Sequence, residues 1–298
     1  MDGSLKAIQG TAAAAPPPAA AAPTRVPPGA ELDLLAGDGG GQAPPMEWRC
    51  PPVAASRASG GALVVRTAPS TDYWARTHYG FIADSGHYYS ALLDGDFVLT
   101  ADVEARPNAQ YDQAGIMVRL SPSCWLKASV EFEPSGASRL GAVVTNAGYS
   151  DWSTVNVPAS LKRLLLRVRR EGSDYTVEAA LPGEAASGGA AAPAEAAASA
   201  GAPAGGAAGA AVAGAPLPLP LPPGGGWMQL RMAHLLEDTA PTGGGGGDSS
   251  GAGGAAWASP VRAGVYACSP RGQGFDAVFH SVRVRGGRAA PGEGRGSD

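Results

Sequence analysis

The fold class follows from one stretch of the chain, Cys124-Trp125-Leu126-Lys127-Ala128-Ser129-Val130-Glu131-Phe132-Glu133. Side chains of a β-strand point alternately to its two faces. One face of this stretch is apolar and carries Leu126, Ala128, Val130 and Phe132. The other face carries Trp125, Lys127, Ser129, Glu131 and Glu133. The alternation predicts a strand whose first face lies in a core and whose second face is a candidate site.

The same period of two recurs through most of the remaining sequence. Further strands are predicted at 63–66, 97–104, 115–120, 140–145, 163–169, 175–179, 227–236, 261–267 and 275–284. No segment shows the pattern of an amphipathic helix. About ten short strands with hairpin spacing predict an all-β fold, an antiparallel β-sandwich of the jelly-roll type.

Tracts rich in Ala, Gly and Pro divide the chain. Residues 1–45 lack any pattern that could bury a face, and they are predicted to be a disordered tail. One sandwich domain is predicted over 46–285, with low-complexity insertions at 182–226 and 239–258. Such insertions cost little, because closure entropy grows only with the logarithm of loop length. A second disordered tail is predicted at 286–298.

Composition excludes several classes of function. A net charge of −4 and a pI near 5.6 provide no basic surface for nucleic acid. No run of 18 bulky apolar residues could span a membrane. Cys50, Cys124 and Cys268 are too dispersed for a disulfide framework or a zinc site, and the four histidines show no metal spacing. We therefore expect a cytoplasmic protein without a cofactor or metal, although a transit peptide stays open.

The two glutamates, Glu131 and Glu133, are weak candidates for catalysis. Residues two apart on a strand have Cα atoms about 6.5–7 Å apart, which overlaps the carboxylate separations of glycosidases. The alternative is a structural role in which they pair with Lys127 and with Arg119 on a neighbouring strand. Lys127 would also lower the carboxyl pKa values, whereas a general acid needs a raised pKa.

Aromatic residues are the second candidate feature. The set is Trp74, Tyr79, Tyr88, Trp125 and Trp152, and flat rings of this kind stack on the apolar faces of sugars. Trp48 is expected to seal an edge instead. The alternative is that the rings only cover the rim of the sandwich.

An ordered set of motifs resembles a known family. The motifs are Asp72-Tyr73-Trp74, Tyr111-Asp112-Gln113-Ala114-Gly115-Ile116-Met117-Val118-Arg119, Trp125 to Glu131, Val144-Thr145, Ser150-Asp151-Trp152-Ser153 and Gly264-Val265-Tyr266-Ala267-Cys268-Ser269-Pro270. They resemble a domain-of-unknown-function family related to regulation of enolase protein 1. The resemblance covers about 46–285 apart from the insertions. It implies a concanavalin A-like lectin/glucanase sandwich with a concave ligand face.

Three functions are compatible with these features. The first is a non-enzymatic lectin-like domain that binds a carbohydrate or related polar ligand. Trp125 and Trp152, with Trp74 nearby, would stack on the ligand, and Gln113, Arg119, Lys127, Glu131 and Asp151 would hydrogen-bond to it. The second is a protein-binding regulator of a metabolic enzyme, enolase being suggested by the family name. The third is a glycoside hydrolase, which is disfavoured because glucanases of the superfamily carry acid-x-acid-x-acid where this chain has Lys127-x-Ser129-x-Glu131.

Overall fold

The computed structural model describes residues 22–36, 43–183, 221–222, 226–238 and 259–287, which contain strands and no helix. The strands are β1 (Thr24–Arg25), β2 (Glu31–Asp33), β3 (Glu47–Arg49), β4 (Ala54–Arg57), β5 (Leu63–Arg66), β6 (Tyr73–Ala75), β7 (Ile82–Asp84), β8 (His87–Asp94), β9 (Phe97–Arg106), β10 (Gln113–Ser121), β11 (Cys124–Glu131), β12 (Ser138–Asn146), β13 (Tyr149–Val157), β14 (Arg163–Glu171), β15 (Asp174–Ala180), β16 (Met228–His234), β17 (Val261–Cys268) and β18 (Asp276–Gly286). Within these residues, therefore, no helix could cross a membrane.

Two large sheets form the sandwich. Sheet A has the strand order β1-β8-β17-β10-β11-β12-β13, and β3 also pairs with β8. Sheet B has the order β16-β15-β14-β9-β18-β5-β4, and β2 also pairs with β18. Every strand pair of the two sheets is antiparallel except β1 with β8. The predicted all-β antiparallel sandwich is confirmed.

The core lies between the sheets and contains the apolar face of β11. Leu126, Ala128 and Val130 are all buried in it, as their alternation predicts. Phe132 was expected to continue that face, but β11 ends at Glu131. Beyond the strand the alternation no longer applies, and the Phe132 ring packs under the Lys162 ammonium at 4.3 Å.

Residues 22–36, which lie within the predicted disordered tail of 1–45, contact both sheets. This segment adds β1 to the edge of sheet A and β2 to β18 of sheet B. Val26, Leu34 and Leu35 are buried in the core, so these few apolar side chains anchor the segment. The composition of residues 1–45 as a whole does not reveal a short segment with a few buried apolar residues. The second insertion, most of the first insertion, and the ends of the chain lie outside the described residues.

Candidate functional site

The outer face of sheet A carries the polar side of β11. Lys127 pairs across the sheet with Met117 on β10 and with Val143 on β12. Val143 in turn pairs with Trp152 on β13. Because paired residues point to the same face, Lys127 and Trp152 lie on one surface, with Val143 between them.

Small residues occupy the neighbouring row of the same face. Ser129 pairs with Gly115 on β10 and with Gly141 on β12, so no large side chain rises from three adjacent strands. A Cβ atom on Gly115 would lie 1.8 Å from the carbonyl oxygen of Ala128. Only glycine fits that position, because the backbones of β10 and β11 approach closely there.

An open groove with a volume of about 560 Å³ lies on the same face of sheet A, and its lining includes Lys127, Val143 and Trp152. Strands β10 to β13 form the floor, the β6–β7 hairpin forms one wall, and the loop after β17 forms another. The lining residues are Ser70, Asp72, Tyr73, Trp74, Tyr79, Phe81, Tyr111, Gln113, Lys127, Glu131, Phe132, Glu133, Arg139, Val143, Trp152, Thr154, Pro270 and Arg271.

The β6–β7 hairpin presents aromatic rings to the groove. Tyr79 packs edge-on to Trp74 at 5.6 Å between ring centroids and stacks on Phe81 at 5.9 Å. Tyr79 is 57% exposed and Phe81 is 46% exposed. Arg76 and His78 have φ values of 52° and 64°, a conformation that is uncommon for residues other than glycine. The turn is therefore held in a sparsely populated conformation, and it exposes rings that a structural loop would bury.

A buried polar network lies beneath the groove. The Lys127 ammonium donates to Gln113 Oε1 at 2.9 Å and lies 3.8 Å from Asp72 Oδ1. The Tyr266 hydroxyl also lies 2.9 Å from Gln113 Oε1 and 2.8 Å from the Ser129 hydroxyl. Buried charges persist only when they are paired and hydrogen-bonded, and this network meets that need for Lys127.

Glu131 is the least satisfied ionisable group of the site. Its Oε2 accepts one long hydrogen bond of 3.3 Å from Gln113 Nε2, and no described residue forms an ion pair with it. Burial raises the pKa of the Glu131 carboxyl to about 7, and this effect outweighs the opposing charge of Lys127. The prediction that Lys127 would leave this pKa lowered is therefore wrong. Near neutral pH the group is both a donor and an acceptor.

Glu133 has a different environment from its neighbour. It follows the end of β11, and its carboxylate accepts from Gln110 Nε2 at 2.8 Å and from the Ser135 hydroxyl at 2.8 Å. These hydrogen bonds lower the pKa of Glu133. The two glutamates are thus not a matched pair on one strand surface, which disfavours the acid–nucleophile arrangement.

Five of the predicted ligand-binding residues line the groove: Trp74, Gln113, Lys127, Glu131 and Trp152. Trp152 is 37% exposed. The other three, Trp125, Arg119 and Asp151, do not line it.

Trp125 cannot stack on a ligand, contrary to the prediction. It is 1% exposed, its indole N–H donates to the Pro122 carbonyl at 3.2 Å, and the Tyr73 ring covers it at 6.0 Å. The β6–β7 hairpin, which supplies Tyr73, seals this end of the sheet. Trp125 is therefore part of a second, smaller core under the hairpin.

Arg119 and Asp151 are used in ion pairs. Arg119 is buried and forms a bidentate pair with Asp84 of the hairpin, at 2.8 and 2.9 Å. Its partner is therefore not either of the two glutamates. Asp151 points to the opposite face of β13 from Trp152 and pairs with Arg231 at 2.6 Å. The first pair fastens the wall of the groove, and the second joins β13 to β16.

The sequence matches the model of a family over residues 48–286, and the family is described as a protein of unknown function, DUF1349. The chain belongs to the DUF1349 family. The groove thus lies within the part of the chain that defines a DUF1349 protein.

A curated yeast sequence and a yeast crystal structure are each similar to this DUF1349 chain. Regulation of enolase protein 1 of Saccharomyces cerevisiae is 40% identical over 111 residues, which are 37% of this chain and 55% of that protein. The chain thus matches about half the length of this relative. The crystal structure of a functionally unknown protein from Saccharomyces cerevisiae aligns with a TM-score of 0.57 at 22% identity, over 82% of this chain and 97% of that one. This likeness shows the same fold.

Several lining residues escaped the sequence analysis. Phe81 and Arg271 were not singled out, and Asp72 and Tyr111 entered only as members of the family motifs. Tyr79 belonged to the predicted aromatic set but was not named as a ligand contact. Strand periodicity identifies the face of a residue within its own strand. It does not indicate which distant hairpin or loop covers that face. The clustering of aromatic residues between 73 and 81 was the one available signal. Within the described part of this DUF1349 chain, no group of His, Cys, Asp and Glu side chains could hold a metal.

Proposed function

We propose that this DUF1349 protein is a non-catalytic binding domain that holds a carbohydrate or a related polar small ligand in the groove of sheet A. The proposal depends chiefly on one observation, an aromatic rim above a hydrogen-bonding floor. Trp74 and Tyr79 of the β6–β7 hairpin and Trp152 of β13, the outermost strand of the floor, supply the rim, while Gln113 and Glu131 belong to the floor strands β10 and β11. Ligand sites are typically concave, with apolar walls and a few fixed polar groups. A pyranose matches this combination, because it has apolar faces and hydroxyl edges.

Titration with a panel of neutral oligosaccharides tests the proposal. We expect Trp152→Ala to weaken the binding of any responsive sugar by at least about tenfold, since loss of a central aromatic contact costs more than about 1 kcal/mol. Tyr149→Ala is the matched control, because Tyr149 is an exposed ring on the same strand that does not line the groove. Equal affinity of wild type and Trp152→Ala would contradict the proposal. So would sugar hydrolysis that Glu131→Gln abolishes.

A second function is favoured by the yeast relative, whose name refers to regulation of enolase. We propose as the alternative that the protein regulates a metabolic enzyme of this kind through the β6–β7 hairpin. Tyr79, Phe81 and Ile82 are exposed together on it, and exposed aromatic clusters are typical of protein interfaces. The free thiols of its cysteines suit a cytoplasmic location.

Sedimentation of the purified chain with purified enolase tests this alternative. We expect a complex with wild type that the double variant Tyr79→Ala, Phe81→Ala no longer forms. Met232→Ala is the control, since Met232 is an exposed apolar residue on β16 away from the groove. A complex that survives the double variant, or no complex at all, would contradict it.

A further inference from the structure

We infer that the groove selects uncharged ligands rich in hydroxyl groups and discriminates against phosphorylated ones. This inference specifies the ligand class of the proposed binding function and depends on that function. It follows from the balance of charge in the groove, from the protein groups that its cations already contact, and from the carboxylate oxygens that have no hydrogen-bond partner among the described residues.

The charges of the groove cancel. With Glu131 ionised, which requires a pH above its pKa of about 7, the charged lining side chains are Asp72, Glu131 and Glu133 on one side and Lys127, Arg139 and Arg271 on the other. A phosphate ester carries up to two negative charges and needs a net positive site or strong local donors. This groove therefore offers no net electrostatic attraction to a phosphate ester. Binding sites for phosphate also use helix N-termini, and the described residues contain no helix.

The cations are engaged with protein groups. The Lys127 ammonium is shared between Gln113 Oε1 and the Asp72 carboxylate. The Arg139 guanidinium donates to Asn156 Oδ1 through Nη1. A phosphate would have to compete with these partners for its donors.

Arg271 is engaged in the same way. Its guanidinium donates to Gln110 Oε1 at 2.9 Å and lies 5.0 Å above the Tyr111 ring. Gln110 in turn donates to Glu133, so the arginine is linked to a neighbouring carboxylate. Displacing it toward a ligand would break both contacts.

Two carboxylates of the groove have open acceptor atoms. Glu131 accepts from a described residue through Oε2 alone, and Asp72 accepts through Oδ1 alone. The second oxygen of each carboxylate therefore has no partner among the described residues, although both groups line the groove. Carboxylate oxygens repel phosphate and accept strongly from hydroxyl groups. Two such acceptors, with the Thr154 hydroxyl also in the lining, suit the hydroxyl groups of a neutral sugar.

Matched pairs of sugars test the inference with the full-length chain. Glucose, mannose, galactose and xylose are each compared with their phosphate esters by isothermal titration and by ligand-observed NMR. We expect at least about tenfold tighter binding of a neutral sugar than of its own ester, and this binding should depend on Trp152. Ester binding that depends on Trp152 and equals or exceeds that of the neutral sugar would overturn the inference and leave the proposed function intact. If no sugar of either kind binds, the proposed function fails.

Glu131→Gln tests the role of the open carboxylate. We expect it to weaken the neutral sugar about tenfold, since hydrogen bonds to a charged group are the stronger kind. Glu31→Gln is the matched control, because Glu31 lies on β2 of sheet B, pairs with Arg283 and does not line the groove. It should change affinity by less than about twofold. Thermal melts of both variants verify the fold, and equal effects of the two substitutions would contradict the role of Glu131.

Discussion

Replacing Asp238 with alanine is expected to lower the free energy of unfolding by about 3–5 kcal/mol, since it leaves a buried charge without its partner. The Arg170 and Asp238 side chains are both 0% exposed. Arg170 Nη2 lies 2.6 Å from Asp238 Oδ1, and its Nε lies 3.1 Å from Oδ2. The Tyr175 hydroxyl donates to the same carboxylate. In Asp238→Ala the guanidinium would keep only carbonyl partners, such as Gly95 at 3.1 Å.

Urea unfolding followed by circular dichroism measures this loss. Asp102→Ala is the control, because Asp102 forms an equally regular bidentate pair with Arg163, at 2.8 Å for each bond, but the Arg163 side chain is 45% exposed. A pair of this kind contributes about 1 kcal/mol or less. Similar losses for the two variants would mean that the Arg170–Asp238 pair is not a buried anchor of the fold.

Gly115→Ala is expected to destabilise the protein by about 2–3 kcal/mol, at the upper part of the range for overpacking. The added Cβ would lie 1.8 Å from a backbone oxygen of β11, so the two strands must move apart. The same shift would distort the groove floor next to Ser129 and Lys127.

Chemical denaturation of the variant, compared with Gly136→Ala, verifies the steric origin of this loss. A Cβ on Gly136 would meet no atom within 4 Å, so its replacement should change stability by less than about 0.5 kcal/mol. If the two alanine variants were equally stable, close approach of β10 and β11 would not explain the glycine.

Periodicity was sufficient to predict the sandwich because antiparallel strands with one buried face impose alternation on their sequences. The alternation of β11, from Leu126 to Val130, identified both its core face and its outer face. The alternation did not predict the end of the strand, because Phe132 lies beyond β11 and does not continue its core face. It also missed the segment 22–36, whose few apolar residues are surrounded by Ala and Pro.

The site was harder to predict because its walls come from distant parts of the chain. Nothing in β11 indicates that a hairpin at 73–84 covers Trp125, or that Asp84 of this hairpin takes Arg119 as its partner, 35 residues away. The pKa of Glu131 could not be predicted from the sequence for the same reason, because it depends on the folded environment. Sequence proximity suggested that Lys127 would dominate, whereas burial in the folded groove has the larger effect.

The most direct test of ligand binding in this groove is a titration with oligosaccharides followed through the tryptophan indole N–H signals by NMR. Trp74 and Trp152 line the groove, whereas Trp125 is buried under the hairpin and Trp48 stacks on Tyr89 at 4.7 Å elsewhere on sheet A. Binding in the groove predicts shifts of the Trp74 and Trp152 signals, with the Trp48 and Trp125 signals unchanged. Shifts confined to Trp48, or no shift with any saccharide, would contradict it.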